Sequence, residues 1–476
     1  MNCVLLAQVQ SNRLRVFAIL SLIATIAGAA ESDYAVVAPA SMKDDSDWQA
    51  VVEGLAKKHN APVITYDKNV AEAREKLAAL APRYVGFVAR PEEAGRQFVI
   101  DIHRFLRKLN DDPYTDAIWG IVTGRTAADA MKIVEQTEPL TIHKGAAGTG
   151  IPMGVFDEAR SYSEGAAGAY QIKTADGKVE QLKGPTDSTK ELVDAFNDFK
   201  TDLFFTSGHA TERDWQIGYS YKNGQFRCKD GVVFGRDLEK KEYKIDSPNP
   251  KVYMPLGNCL MGHISDKDCM ALAFMSSGGV RQMCGYVVVT WYGYGGWGVQ
   301  DYFFQQPGRF TFAESVYLNN QALINRLERE YPDKARVDLD VNGMEKDRDW
   351  FGKTATALGL KEVDEKGKNL IGLLYDRDVV AFYGDPKWEA RMGAHDLPWK
   401  QTLTESSGVF TFELSAEKTT KAGRPPAAIL PRHVGKVEIV EGKELEPVVG
   451  ANFVMVPKLT EFEAGKTYRV IFKESK

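Results

Sequence analysis

Tyr34-Ala35-Val36-Val37-Ala38, Pro62-Val63-Ile64-Thr65-Tyr66 and Tyr84-Val85-Gly86-Phe87-Val88-Ala89 are three apolar runs, rich in branched and aromatic side chains. Stretches of helical periodicity, residues 47–59 and 71–80, separate them. A strand that faces water on one side alternates apolar with polar, whereas these runs are apolar throughout. They are expected to be buried on both faces, in a mostly parallel sheet covered by helices. The alternation continues outward as a helix over 98–109, a strand over 117–122 and a helix over 126–135.

Upstream, Arg13 and Arg15 precede an apolar run over 16–30 that ends in Ala27-Gly28-Ala29, with Glu31-Ser32-Asp33 following at once. Positive flank, short apolar stretch and small residues at the exit are the parts of a secretory signal, expected over residues 1–30. The alternative is an uncleaved anchor, although the run is short for a bilayer. The mature chain is therefore expected to be secreted, periplasmic or at the cell surface, with no stable membrane insertion after signal removal. A net charge of −5 over 476 residues and a charged content of 26% give no basic excess for nucleic acid. Four cysteines follow the signal, Cys228, Cys259, Cys269 and Cys284, and an exported domain can pair them or keep one as a free nucleophile.

Downstream, residues 144–184 lose the periodicity and become rich in glycine, serine and charge, as in Gly145-Ala146-Ala147-Gly148-Thr149-Gly150. The spacing of a phosphate loop is missing, so this reads as flexible or functional connection. Order is expected to return with Ser188 as the cap of a helix to Phe199. Buried strands follow over 202–206, 252–256 and 286–290, a helix over 268–276, and a long helix whose face is Phe312, Val316, Leu323 and Leu327. Pro255 within the second of these strands cannot donate to a ladder, which weakens the signal for a strand there without removing it. After about 397 the chain changes to alternating runs, such as Val409-Phe410-Thr411-Phe412-Glu413-Leu414, separated by turn-rich segments. The expected plan is an N-terminal α/β subdomain (31–143), a second α/β subdomain (144–397) and an all-β, immunoglobulin-like sandwich (398–476).

Chemistry concentrates at two strand ends. One strand runs into Ser207-Gly208-His209-Ala210, the next into Gly257-Asn258-Cys259. Carboxyl ends of neighbouring parallel strands meet at one crevice, so a thiol and an imidazole would project from the same edge. A thiol attacks as thiolate, and an imidazole beside it can take the proton. The backbone N–H groups of Ala210 and Cys259 are candidate oxyanion donors, and Gly208 and Gly257 let backbone approach a substrate. Trp291-Tyr292-Gly293-Tyr294-Gly295-Gly296-Trp297 supplies aromatic surface, with Trp297 and Trp291 as candidate pocket walls. Cys259, His263 and His209 form a competing set for zinc, without the usual ligand spacings. Asp157 and Glu158 are upstream acids from which a third catalytic group could come.

Phe204-Phe205-Thr206-Ser207-Gly208-His209-Ala210 and Leu256-Gly257-Asn258-Cys259-Leu260-Met261-Gly262 resemble the gingipain-like family of caspase-fold cysteine peptidases. Thr123-Gly124-Arg125-Thr126-Ala127, the segment from Gly278-Gly279 through Val289, then Gly295-Gly296-Trp297-Gly298, and Tyr383-Gly384-Asp385-Pro386 extend the resemblance in order over residues 34–390. Ala210 departs from the glycine that follows the histidine in that family. The resemblance implies a cysteine endopeptidase that needs no cofactor and acts on protein or peptide substrates. In it Cys259 forms the acyl-enzyme, and His209 serves as base or ion-pair partner. Calcium as a structural ion is compatible with the resemblance, but no compact acidic loop marks a site. A catalytically degenerate chain of the same fold, binding peptides or partners, is the alternative.

Overall fold

The computed structural model describes residues 32–361 and 363–475, so the signal expected over 1–30 lies outside the described residues. Twelve strands make one central sheet. Their order is Val63–Tyr66, Tyr34–Pro39, Tyr84–Val88, Ile118–Val122, Val380–Tyr383, Val280–Tyr286, Lys251–Pro255, Leu203–Thr206, Lys144–Ala147, Glu158–Tyr162, Ala169–Lys173 and Val179–Lys183. Strands from Val63–Tyr66 through Val380–Tyr383 are mutually parallel. So are those from Val280–Tyr286 through Glu158–Tyr162. The two groups meet antiparallel, with Tyr286 opposite Val380. Helices flank the sheet, and the strands at its heart are buried along their whole length, as their continuous apolar character requires.

Helix ends follow local capping chemistry. The Asp45 carboxylate accepts the N–H groups of Asp47 and Trp48 at the start of Ser46–His59, and Thr126 caps Ala127–Glu135. Thr311 and Glu314 form a reciprocal capping box on the helix Phe312–Glu330. Ser188 precedes its helix, Thr189–Asn197, but its side chain makes no cap bond. Asp187 does that work instead, accepting the Thr189 N–H at 3.0 Å.

Two expectations are corrected. Residues 144–184 are not loose connection: they supply four strands that complete the sheet, the last two as an antiparallel hairpin turning at Asp176-Gly177. Small residues in Lys144–Ala147 are a packing requirement. A Cβ on Gly145 would lie 2.6 Å from the Phe156 ring, and one on Gly148 would lie 2.2 Å from the Trp215 ring. Pro255 does end a regular strand, opposite Thr206, as the last residue of the ladder, where a missing donor costs least. The third strand runs over Val280–Tyr286 instead of 286–290. Residues Val287 and Val288 are fully buried, yet they have left the ladder to pack against the turn that carries Cys259.

C-terminal strands are antiparallel. Lys400–Ser406, Val409–Ser415, Thr467–Glu474 and Val437–Glu441 form one sheet, and Ala427–Ile429, Phe453–Met455 and Val448–Gly450 another. Their inward residues, including Phe410, Phe412, Leu414, Val470 and Phe472, make a core of their own around Trp399 and Phe462.

Candidate active site

The strands Leu203–Thr206 and Lys251–Pro255 are parallel neighbours, with Thr206 opposite Pro255. The segments bearing His209 and Cys259 therefore leave the sheet side by side. Asn258, fully buried, ties them together. Its Oδ1 accepts the Thr206 hydroxyl at 2.6 Å, and its Nδ2 donates to the Gly208 carbonyl at 3.0 Å. The Asn258 carbonyl in turn accepts the Thr290 hydroxyl at 2.9 Å, which draws in the segment after Val280–Tyr286.

Cys259 is half-buried and unpaired. The Thr290 N–H donates to its Sγ at 3.3 Å. The next residue, Leu260, has φ of +58°, a left-handed conformation costly for a branched side chain. That turn is held down by the Leu260 N–H on the Val288 carbonyl and the Gly262 N–H on the Tyr286 carbonyl. Gly262 lies so close to the sheet that a Cβ would meet the Gly285 carbonyl at 2.2 Å. Cys259 is thus presented on a strained, clamped bend.

His209 is exposed at the crevice and stacks on Tyr219, with ring centroids 4.9 Å apart. Among the described residues no hydrogen bond joins its ring to Cys259. The structure brings their segments together and leaves the two side chains apart. Gly208 has φ of +88°, so its glycine is needed for the backbone turn that aims His209. The flanking Ala210 pairs with Trp215 across a narrow bridge whose bonds run through His209 and Thr211. The Ala210 and Cys259 N–H groups are left without an acceptor among the described residues, as oxyanion donors must be.

An acid does stand beside the segment that leads to this histidine, but it is Glu164. The Ser207 hydroxyl donates to its carboxylate, and its carbonyl accepts the N–H groups of Tyr219 and Ser220. Asp157 and Glu158 point elsewhere: Asp157 pairs with His143 at 2.7 Å and Glu158 with Lys144 at 3.3 Å. Glu164 follows the strand Glu158–Tyr162 at the same sheet edge. Nothing in the sequence around it signals a site.

Gly257 serves a neighbour more than a substrate. A Cβ there would stand 2.5 Å from the Trp297 ring, so the glycine seats the indole directly beside the residues that precede Cys259. Trp297 packs edge-on to Phe205 and keeps 39% of its surface exposed, the arrangement of a wall with one face open. Trp291 sits differently, against Phe351 and Tyr375 at 5.2 and 6.3 Å between ring centroids, within an aromatic packing cluster.

Other thiols are chemically quieter. Burial pushes Cys228 up to about 11 and Cys269 up to about 12, and raises Cys284 further still. His263 is lowered by burial and by the Arg96 guanidinium. Among the described residues no group of three or more His, Cys, Asp or Glu side chains is placed to hold a metal ion. Nor, among them, is any helix long and apolar enough to cross a membrane.

No protein-family model and no curated protein matches the sequence. A solved structure called "Structure of Protease" aligns over 93% of this chain and 94% of its own length, at 10% identity and a TM-score of 0.36. A likeness at that level carries no argument about mechanism, and the functional reading rests on the site.

Proposed function

We propose that the chain is an exported cysteine endopeptidase of the gingipain-like, caspase-fold type, acting through Cys259 and His209. The observation that supports the reading is the Asn258 tie, which joins the segments bearing Cys259 and His209 at the ends of adjacent parallel strands. His209 takes the Cys259 thiol proton, the Sγ thiolate attacks the scissile carbonyl carbon, and the carbonyl oxygen becomes an oxyanion facing the N–H groups of Ala210 and Cys259. The departing amine takes a proton from the His209 imidazolium, leaving a thioester on Cys259. Water, losing a proton to His209, then releases the peptide acid and restores the thiol. Each proton borrowed from the imidazole is returned within the cycle. Rotation of His209 off Tyr219 toward the substrate closes the working arrangement, in keeping with catalytic contacts that tighten only when substrate is bound. Protein or peptide substrates lie along the exposed face of Trp297.

A peptidyl thiol-directed probe tests the assignment. The wild-type chain is expected to be labelled at Cys259, located by mass spectrometry of the adduct, and Cys259→Ala to remove the adduct entirely. His209→Ala should slow labelling at least about a hundredfold, the low end of a general base's contribution. Labelling of Cys228 or Cys269 in place of Cys259, or labelling indifferent to His209, would sink the reading in favour of a non-catalytic binding protein.

A further inference from the structure

The strip from Thr290 to Gly298 carries both the N–H that reaches Cys259 and the indole beside Gly257, so whatever fixes that strip fixes one side of the site. Its anchor is a single buried acid. Asp376, at the end of the helix Glu365–Asp376, is 1% exposed. Its Oδ2 accepts the Gly295 N–H at 2.8 Å and the Tyr286 hydroxyl at 3.1 Å. The same Tyr286 oxygen accepts the Gly296 N–H at 2.9 Å. On the far side, Asn319 Nδ2 donates to the carbonyls of Tyr294 and Gly295 at 3.2 and 2.8 Å. Close packing leaves the turn no slack: a Cβ on Gly296 would meet the Leu256 carbonyl at 2.3 Å.

A comparison two residues along shows how unusual this is. Asp378 is equally buried and is held by cations, Arg107 at 2.6 Å and Arg377 at 3.0 Å. Asp376 has no cationic partner among the described residues. Its second oxygen, Oδ1, has no protein partner, and it shares a cavity of about 30 Å³ with His103, whose Nδ1 is likewise unpartnered. A buried carboxylate without a cation is a poor source of stability. Every bond it does make converges on the strip that bears Trp297.

We propose that Asp376 is a positioning residue for peptide substrate: without touching the substrate, it sets the Gly293–Gly298 turn and through it the Trp297 wall beside Cys259. This rests on the peptidase reading above, and the test separates the two. Asp376→Ala and Asp376→Asn are prepared in the full chain, the latter keeping an amide oxygen that can still accept from Gly295 and Tyr286. Hydrogen exchange is followed by mass spectrometry over residues 286–300. Labelling of Cys259 is followed with a peptidyl probe and with iodoacetamide, which needs no pocket wall.

Asp376→Ala is expected to speed exchange of the turn about tenfold or more and to slow peptidyl labelling about tenfold, with iodoacetamide labelling within about threefold of wild type. Asp376→Asn should keep all three near wild type. Unchanged exchange and unchanged peptidyl labelling in Asp376→Ala would overturn the inference, as would an equal fall of peptidyl and iodoacetamide labelling. If Asp376→Ala does not fold, Tyr286→Phe removes one link of the same chain and should loosen the turn in the same direction. A wild-type chain that takes no peptidyl label at Cys259 would end the peptidase reading and the substrate role with it. Exchange would then still decide whether Asp376 holds the turn.

Discussion

Asn258→Ala is the sharpest test of the idea that one amide welds the two halves of the site. The substitution removes two hydrogen bonds, the buried one that accepts from Thr206 at 2.6 Å and the half-buried one that donates to Gly208 at 3.0 Å. Thr206 keeps a second partner in the Tyr253 hydroxyl, at 3.0 Å, but the Gly208 carbonyl is left with none. Two ordinary bonds at about 1 kcal/mol each, plus up to about 2 kcal/mol for the half-buried carbonyl left without a partner, give an expected loss of about 2–4 kcal/mol. Urea unfolding at fixed pH reads this as a lower midpoint with an unchanged slope. The functional consequence is separate. Releasing the Gly208 turn lets His209 drift, and misplacement of about 1 Å is enough to cost on the order of a hundredfold. Peptidyl labelling of Cys259 should therefore fall at least tenfold in conditions where the variant is still fully folded. A stability loss below about 1 kcal/mol together with a wild-type labelling rate would refute the reasoning, because it would mean the strand ends hold their positions without the tie.

Two further outcomes are expected. Gly257→Ala puts a methyl 2.5 Å from the Trp297 ring and 3.0 Å from the Ser207 Cβ, so the indole must leave its seat. Peptidyl labelling should drop about tenfold with a change in tryptophan emission, and iodoacetamide labelling should hold within about threefold. Asp116 is buried, with one carboxylate oxygen unpartnered, and burial, with Asp112 nearby, pushes it up to about 8. The folded chain then keeps a proton that the unfolded chain releases near pH 4. Its contribution to stability is full below about pH 4 and is lost as pH rises toward 8. Asp116→Asn should flatten the fall of stability between those limits by up to about 1.4 kcal/mol per pH unit. Urea midpoints at three pH values suffice, and parallel curves for wild type and variant would rule out the assignment.

How much of this was legible in the sequence depends on where each residue's constraint comes from. The strands Tyr34–Pro39, Tyr84–Val88 and Ile118–Val122 were readable because burial on both faces writes a continuous apolar run, whereas Val63–Tyr66, expected to be buried likewise, lies at the sheet edge and alternates exposed with buried. The segments of His209 and Cys259 were readable because each follows such a run through a glycine. Lys144–Ala147 was not, since the bulk that fills its surroundings comes from Phe156 and Trp215 elsewhere in the chain. The half-exposed strands Ala169–Lys173 and Val179–Lys183 carry a weak alternation. Asp176-Gly177 between them, with Gly177 at φ of +84°, was the available hairpin signal. Residues 286–290 misled in the opposite direction: burial alone does not separate a ladder strand from chain packed beneath a turn. Glu164 and Asp376 were out of reach, because a lone acid acquires its meaning only from what the fold sets against it.

The antiparallel seam between Val280–Tyr286 and Val380–Tyr383 explains why that last residue can matter at all. Segments 163–168, 207–210, 256–263 and 287–298 follow strands of one parallel group, so all four emerge at one edge, and the site is built there. A strand from the other group, had it joined in parallel, would begin at the far edge and bring its preceding helix to the wrong end of the sheet. Because the seam is antiparallel, Val380 lies opposite Tyr286, and the start of one strand meets the finish of the other. The helix Glu365–Asp376 therefore ends beside the turn after Tyr286, and its final carboxylate reaches the Gly295 N–H. Reversal of direction at a single strand pair is what lets a helix feeding one parallel group hold the turn that follows a strand of the other.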